Sequence, residues 1–264
     1  MKIKNFIRKV NYSDFKYTHT DQINNNGCYS IVPVMKYHNL KKSVEECGIL
    51  FPLIVDRGLV LVSGHSRLRA AVETGLTSVP VLIADGDAVD LFNINMVHTF
   101  HSGIDPGDGA RAVCIRRLVK DFDVRDQTLV NEYLPMLGCE RSRKIAEDLK
   151  SFAEFSESVL SCFVKNGLSL RTARIFFPYS AEDREYVCAQ LGQLNAGENR
   201  LRKVGEWLWH IGRRNHAHPA DILKNALYEL QKNRRPLTIK ELETVLSVQR
   251  NPVISGRNLE NHSP

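Results

Sequence analysis

The chain has 264 residues, of which 43% are hydrophobic and 25% charged, and its formal net charge is +6. This length and composition suit a globular protein of two small domains, each able to bury a core. No run of 18 apolar residues occurs, and the first residues lack the apolar centre of a signal peptide. We therefore expect a cytoplasmic protein with no membrane partner.

The positive charge is concentrated near the C-terminal end. Residues 197–264 contain 12 Lys and Arg against 7 Asp and Glu, which is +5 of the total. This surplus indicates a polyanionic partner without naming it. The six cysteines are scattered and form no Cys-x-x-Cys pair, so we interpret them as reduced core residues rather than as a metal site or a disulfide framework.

The N-terminal part begins with a polar segment. Residues 1–27 are weakly patterned, which predicts a flexible N-terminal arm. Residues 29–34 then predict a strand at the edge of a sheet, because Pro33 cannot donate to a sheet ladder. Short apolar runs and glycine stops over residues 40–100 predict alternating helices and strands, as in a compact α/β unit.

The central feature of this unit is a strand that ends at Gly64 and is followed at once by a helical pattern. Glycine lets the backbone approach a ligand, Ser63 or Ser66 can cap the helix, and the free amides at a helix start favour an anion. Arg67 and Arg69 add planar cationic donors suited to phosphate oxygens. The turn therefore predicts a phosphate site, with an ordinary turn carrying two solvated arginines as the alternative.

The order of elements around this turn resembles the N-terminal domain of the ParB family of partition proteins. The resemblance covers about 35 residues and rests on Gly48, Pro52, Gly64, Arg67, Ala70, Gly75, Leu76, Val79, Pro80 and Val81. It implies an α+β protein: a small ParB/sulfiredoxin-like α/β domain followed by an all-α domain with a helix-turn-helix-like segment. It also implies CTP with Mg²⁺ as the ligand.

A second phosphate motif of that family is altered in this chain. Counting back from Asp105, the family's Glu, Asn and Arg positions hold Val97, His98 and His101. The lost acidic group would help position Mg²⁺ or a hydrolytic water, so the sequence leaves open whether a bound nucleotide is hydrolysed. The two histidines also have the spacing of a metal pair, but without a third ligand an anion contact or a polar loop is favoured. The predicted nucleotide site comprises Ser63, Gly64, His65, Ser66, Arg67, Arg69, His98 and His101.

From Asp105 onward the pattern is helical. Predicted helices over residues 127–137 and 141–150, joined by a tight turn at Gly138, have the outline of a helix-turn-helix, although Pro135 falls within the first. Residues 164–174 also resemble a family segment that follows the recognition helix. A charged helix start that is merely solvated is the alternative. The predicted DNA-binding residues are Arg141, Ser142, Arg143, Lys144, Lys150, Arg171 and Arg174.

The rest of the chain predicts further helices after Ser180, around Trp207, and over residues 219–230 and 237–248. We interpret His216 and His218 as solvated residues of a polar linker. The predicted divisions are a flexible arm over 1–27, a nucleotide-binding domain over 28–104, a DNA-binding domain over 105–178, a helical region over 179–250, and a tail over 251–264.

Three functions remain open from the sequence. The first is a ParB-like DNA-binding partition protein in which a CTP-type nucleotide acts as a conformational switch. For this protein the resemblance implies a homodimer with duplex DNA and a partition ATPase as partners. It also implies association with a nucleoid or plasmid. The second is a phosphotransferase or nuclease-like enzyme on the same fold, for which no catalytic residue is singled out. The third is a protein adaptor that binds no nucleotide.

Overall fold

The computed structural model describes residues 11–31, 37–101, 105–194 and 196–250. The chain divides into two compact units, Met1–Glu154 and Phe155–Pro264. Unit 1 combines a sheet with helices, and the described part of unit 2 is helical, which confirms the predicted α+β class. None of the described helices is long and apolar enough to cross a bilayer.

Unit 1 contains four strands and six helices in its described residues. The elements are β1 (Asn11–His19), α1 (Tyr37–Cys47), β2 (Leu53–Val55), β3 (Leu61–Ser63), α2 (His65–Glu73), β4 (Ser78–Asp85), α3 (Ala88–Phe100), α4 (Asp108–Lys120), α5 (Asp126–Met136) and α6 (Arg143–Ala153). A short 3-10 turn over Thr20–Gln22 follows β1.

The four strands form one sheet in the order β1-β4-β2-β3. β2 runs parallel to β4, with Leu53 opposite Val81, and the other two pairs are antiparallel. The predicted apolar runs explain this arrangement, because β2 and β3 are buried along their whole length and fill the core. The core cluster that supports the end of β3 contains Ile23, Leu53, Val55, Leu61, Leu68, Ala71, Val79 and Val81.

The prediction of a flexible arm is wrong for its last part. Residues 1–10 lie outside the described residues, but Asn11–His19 form β1, which pairs antiparallel with β4 and occupies the edge of the sheet. Aromatic and β-branched residues favour a strand, yet Phe15 and Tyr17 stay 59% and 69% exposed, so no buried face produces an alternation in the sequence. The edge strand predicted over 29–34 is absent at 29–31, and its remainder lies outside the described residues.

α5 consists of three consecutive helical segments, the middle one, Leu129–Tyr133, with π-helical hydrogen bonding. Pro135 in the last segment has no amide hydrogen to offer the carbonyl of Asn131, four residues earlier. Nε of Arg141 donates to that carbonyl at 3.1 Å. The predicted helix over 127–137 is therefore present despite its proline.

The first helix of the predicted DNA-binding domain packs within unit 1. The guanidinium of Arg117 on α4 lies 5.1 Å from the ring centre of Phe92 on α3, and Phe122 lies 5.3 Å from the same ring. Nε of Arg116 donates to the carbonyl of Ala153 at the end of α6. The division of the chain therefore falls after Glu154 rather than at the predicted positions 104/105 and 178/179.

The described part of unit 2 contains six helices around an aromatic core. They are α7 (Glu157–Asn166), α8 (Leu170–Phe176), α9 (Ala181–Gln193), α10 (Glu198–Asn215), α11 (Pro219–Lys232) and α12 (Ile239–Arg250). Ser156 and Ser180 cap α7 and α9 through their hydroxyls. Phe163, Phe176 and Tyr179 are buried and stack edge-on or tilted against one another.

Candidate functional site at the strand-to-helix turn

Gly64 joins β3 to α2 in a conformation that suits glycine. Its φ of +105° lies in the left-handed region, and a Cβ at this position would lie 2.6 Å from Cδ2 of Leu53. The sequence predicted Ser63 or Ser66 as the cap of the helix, which is wrong: Gly64 occupies the N-cap position and no side chain caps α2. The first amides of α2 therefore have no capping side chain.

Arg67 lies on the first turn of α2 and is held by the backbone. Its Nη1 donates to the carbonyls of Phe51 and Pro52 at 2.6 and 2.7 Å. Its Nη2 lies beside the turn, 3.2 Å from the position a Cβ of Gly64 would take. Burial lowers the pKa of Arg67 below its usual range, although guanidinium groups stay charged at neutral pH. The guanidinium is thus fixed next to Gly64 by a carbonyl pair that precedes β2.

His98 approaches the same turn from α3. Its Nδ1 lies 3.1 Å from the hydroxyl of Ser63, so the two groups share a hydrogen bond. Burial lowers the pKa of His98, and the positive charge of Arg67 lowers it further. His98 is therefore a neutral imidazole at pH 7, beside a fixed cation.

His65 is the first residue of α2. Its Nε2 is buried and has no hydrogen-bond partner, and burial lowers the pKa of His65 to about 4. An unpaired buried polar atom is costly, and such atoms in native structures commonly mark a site for a ligand or an ordered water. His65 thus leaves an unused hydrogen-bonding position at the turn.

Five of the eight predicted nucleotide-site residues come together in this way: Ser63, Gly64, His65, Arg67 and His98. Ser66 is partly buried on the first turn of α2. The other two have partners elsewhere: Nε of Arg69 donates to Glu73 at 2.8 Å, and Nε2 of His101 lies 3.0 Å from the carbonyl of Met136. Arg69 and His101 thus have protein partners away from the Gly64 turn.

The groups at the turn fit an anion better than a cation. Arg67, the amides of α2 and the imidazole N–H groups are donors, which match phosphate oxygens. Of the five residues only Ser63 has a side-chain oxygen, so a Mg²⁺ bound here would take most of its oxygen ligands from phosphates and water. Within the described ranges, no three His, Cys, Asp or Glu side chains are grouped to hold a metal.

A second candidate site lies on α6. Arg143 and Lys144 are exposed in its first turn, and Ser142 caps the helix by accepting from the amide of Ile145 at 3.3 Å. Lys150, one of the predicted DNA contacts, forms an ion pair with Asp126. A groove of about 260 Å³ between α5 and α6 is lined by Asp126, Gln127, Val130, Arg143, Ala146, Glu147 and Lys150.

The two predicted DNA contacts of unit 2 lie on α8. Arg171 and Arg174 are both exposed. The start of α8 is fixed by Glu198, which accepts hydrogen bonds from the amide of Ser169 at 2.9 Å and from the hydroxyl of Thr172 at 2.5 Å. α8 therefore presents its two arginines from a rigid position in unit 2.

The sequence reasoning missed one buried carboxylate in unit 2. Asp183 is only 5% exposed and accepts from Nδ1 of His218 at 3.1 Å. The side chain of His218 is exposed, as the sequence predicts, but the residue is the N-cap of α11 rather than part of a linker. The Pro219 that follows it was the available signal, because proline is favoured at the first position of a helix.

No family model matches the chain. A probable chromosome-partitioning protein ParB of Rickettsia bellii is 26% identical over 140 residues, which are 53% of this chain and 46% of that protein. An uncharacterized protein, ORF326b, of Acidianus two-tailed virus is 34% identical over 44 residues, 17% of this chain and 14% of that protein. The chain thus spans less than half the length of these curated relatives, and the first of them confirms the predicted resemblance to ParB proteins.

Solved structures of ParB proteins are also similar. A Pnob8-like ParB N domain has a TM-score of 0.43 at 18% identity and covers 91% of this chain and 95% of its own. ParB of Caulobacter crescentus complexed with CTP-gamma-S has a TM-score of 0.32 at 19% identity, and the match covers 67% of this chain and 98% of that structure. The same protein complexed to the centromeric parS site has a TM-score of 0.38 at 16% identity, and the match covers 72% of this chain and 98% of that structure.

Proposed function

We propose that this chain is a ParB-like DNA-binding partition protein in which a nucleoside triphosphate of the CTP type binds at the Gly64 turn and acts as a conformational switch. The observation that carries the proposal is the convergence of Arg67, His65 and His98 on a glycine turn at the uncapped start of α2. These three side chains come from two helices, and each can donate a hydrogen bond to phosphate oxygens.

The binding chemistry follows from these groups. The first amides of α2 and the helix dipole attract a phosphate, and Nη2 of Arg67 adds a charged donor that Nη1 holds in place. The imidazoles of His65 and His98 add N–H donors. A bound triphosphate would add a second contact between α3 and the turn through His98, beside its hydrogen bond with Ser63. Ligands act as switches by binding one arrangement more tightly than another.

DNA binding is proposed for the helices of both units. Arg143 and Lys144 in the first turn of α6, with Arg141 and Ser142 before it, would contact phosphates or base edges, and Lys150 lies further along the same helix. In unit 2, Arg171 and Arg174 would add phosphate contacts. Displacement of counterions by these cations would make the affinity fall steeply with salt.

Assembly is part of the proposal as well. The proposed protein is a homodimer that acts with a partition ATPase in the cytoplasm, associated with a nucleoid or plasmid; of these properties, the similarity to a probable chromosome-partitioning protein supports the role in partition. The Mg²⁺ predicted with CTP would be held by the phosphates and water, because the turn itself provides few oxygen ligands.

A thermal-shift experiment tests the nucleotide site. We expect CTP to raise the melting temperature more than ATP or GTP, because a ligand that binds only the folded state stabilises it. Arg67→Ala should abolish the shift. Arg69→Ala is the matched control, since it removes the same charge from the same helix but from a side chain that pairs with Glu73. If no nucleotide stabilises the wild-type protein with or without Mg²⁺, the switch is excluded.

A protein adaptor that binds no nucleotide is the second candidate. It is favoured by the hydrogen bonds of Arg67 to Phe51 and Pro52, which give this arginine a structural role without any ligand. Under this alternative, Arg67→Ala lowers the stability of unit 1 while CTP has no effect on either protein. A phosphate-release assay, in which the adaptor is inactive, separates it from an enzyme on the same fold.

A further inference from the structure

Two histidines flank the proposed phosphate site from different elements. His65 begins α2, directly after Gly64, and His98 reaches the end of β3 from the last turns of α3. Nε2 of His65 is buried without a hydrogen-bond partner, and His98 uses Nδ1 for its bond with Ser63. Nε2 of His65 therefore has no partner within the protein, and His98 has a second ring nitrogen besides the one bound to Ser63.

The surroundings of both rings disfavour a positive charge in the free protein. Burial lowers the pKa of His65 to about 4. Burial also lowers the pKa of His98, and the positive charge of Arg67 on α2 lowers it further. On the side of β3, the partner of His98 is the uncharged hydroxyl of Ser63. Both rings are thus neutral at pH 7 in the absence of an anion.

We propose that anion binding at the Gly64 turn is coupled to proton uptake by His65 and His98, so that the site binds phosphate groups more tightly as the pH falls. This inference rests on the proposed nucleotide site and adds a regulation to it. A neutral imidazole can offer one N–H to a phosphate, whereas an imidazolium offers two and carries a charge. The change in protonation therefore converts two modest donors into two charge-assisted ones.

The sign of the pH dependence follows from linkage. A phosphate that contacts the rings offsets the charge of Arg67 and stabilises the imidazolium form, so the pKa values of both rings are higher in the complex than in the free protein. Between the free and bound values, binding takes up protons. Each proton taken up strengthens binding by at most about tenfold per pH unit of acidification. We expect CTP to bind about tenfold more tightly at pH 6 than at pH 8.

Calorimetric titration with CTP in two non-phosphate buffers of different ionisation enthalpy measures the protons taken up. The terminal phosphate of CTP itself titrates near pH 6, so the informative quantity is the difference between wild type and variants. We expect His65→Gln and His98→Asn each to reduce proton uptake. His216→Gln, which changes an exposed histidine of unit 2, should leave it unchanged.

The outcomes separate the inference from the proposed function. Tight binding with equal proton uptake in wild type and both variants overturns the inference and leaves the nucleotide site standing. No binding of CTP by the wild type at any pH overturns both. Should a variant fail to fold, NMR titration of the wild-type imidazole protons decides: two rings whose pKa values rise on addition of CTP support the coupling, and unchanged values contradict it.

Discussion

The hydroxyl of Ser63 and Nδ1 of His98 lie 3.1 Å apart and join the end of β3 to α3. Ser63 is 3% exposed, so this hydrogen bond is shielded from water on the strand side. It fixes the ring of His98 beside the turn on which the proposed phosphate site depends. The position of one candidate ligand-binding group therefore depends on a single buried serine.

Removal of this hydroxyl should destabilise unit 1. Ser63→Ala removes this hydrogen bond, and because His98 is exposed the loss is the net value of one hydrogen bond, about 0.5–1.5 kcal/mol of the free energy of unfolding. Hydrogen exchange of the amides of Leu61–Ser63 and α2 measures the loss locally. Ser13→Ala, on the exposed face of β1, is the control and should change little. Equal protection in the two variants would show that the hydrogen bond contributes nothing.

A side chain at Gly64 should be poorly tolerated. Gly64→Ala places a Cβ 2.6 Å from Leu53 in a left-handed conformation, and backbone strain alone costs on the order of 1–3 kcal/mol. Gly58→Ala is the matched control in the same unit, because its Cβ would meet Oδ1 of Asp56 at an ordinary 3.4 Å. Chemical denaturation should show a lower midpoint for the first variant alone. A loss of equal size in both variants would contradict the strain argument.

Much of this site was predictable because it depends on local chemistry. β-branched residues before Gly64 and a helical pattern after it predicted the turn, and both are present. The contacts that distinguish the residues were not predictable. His98 lies in the last turn of α3 and His101 directly follows that helix, yet one contacts Ser63 and the other lies against the carbonyl of Met136. Helical spacing indicates which residues share a face of a helix. Their partners depend on how α3 packs against β3 and α5, which the sequence does not show.

β1, in contrast, could not be predicted from the sequence. Its residues are nearly all exposed, with Thr18 the buried exception among those whose burial is described. A strand of this kind is held by its ladder with β4 rather than by an apolar face. Hydrophobic periodicity is the main signal for a strand in a sequence, and here the packing that would produce it is missing.

The proposed DNA contact on α6 predicts a change in salt dependence. Arg143→Ala should weaken binding of duplex DNA and reduce the slope of log K against log[salt] by about 1, because one fewer counterion is released. Lys42→Ala removes one exposed positive charge from α1, where Lys42 pairs with Glu46, and serves as the control. Fluorescence anisotropy across a salt series measures both slopes. Equal slopes for the two variants and the wild type would exclude Arg143 as a phosphate contact.

The ion pair of Asp183 and His218 predicts a pH dependence in unit 2. Asp183 also accepts hydrogen bonds from the hydroxyl of Ser180 and the amide of Ala220, so it joins the start of α9 to the start of α11. Burial raises the pKa of Asp183, but the hydrogen bonds outweigh burial and hold it below its ordinary value. The hydrogen bond to Asp183 and then its charge raise the pKa of His218.

The direction of the pH dependence follows from these two pKa shifts. A raised pKa in the folded state means that His218 stabilises unit 2 fully below its unfolded pKa of about 6.5 and loses that effect as the pH rises through the folded value. A lowered pKa means that Asp183 stabilises above about 3.9 and loses its effect as the pH falls through the folded value. The contribution of the pair is therefore greatest between these limits.

The variant His218→Gln tests this pH range. The difference in unfolding midpoint between wild type and variant should be largest near pH 5–6 and shrink toward pH 9, as the folded wild type loses its proton. The two tryptophans of the chain, Trp207 and Trp209, lie on α10, so their fluorescence follows unit 2 directly. His210→Gln is the control, since it removes an exposed histidine from α10 and leaves the Asp183–His218 pair intact. A difference for His218→Gln that stays constant from pH 5 to pH 9 would show that its ion pair with Asp183 does not stabilise the fold.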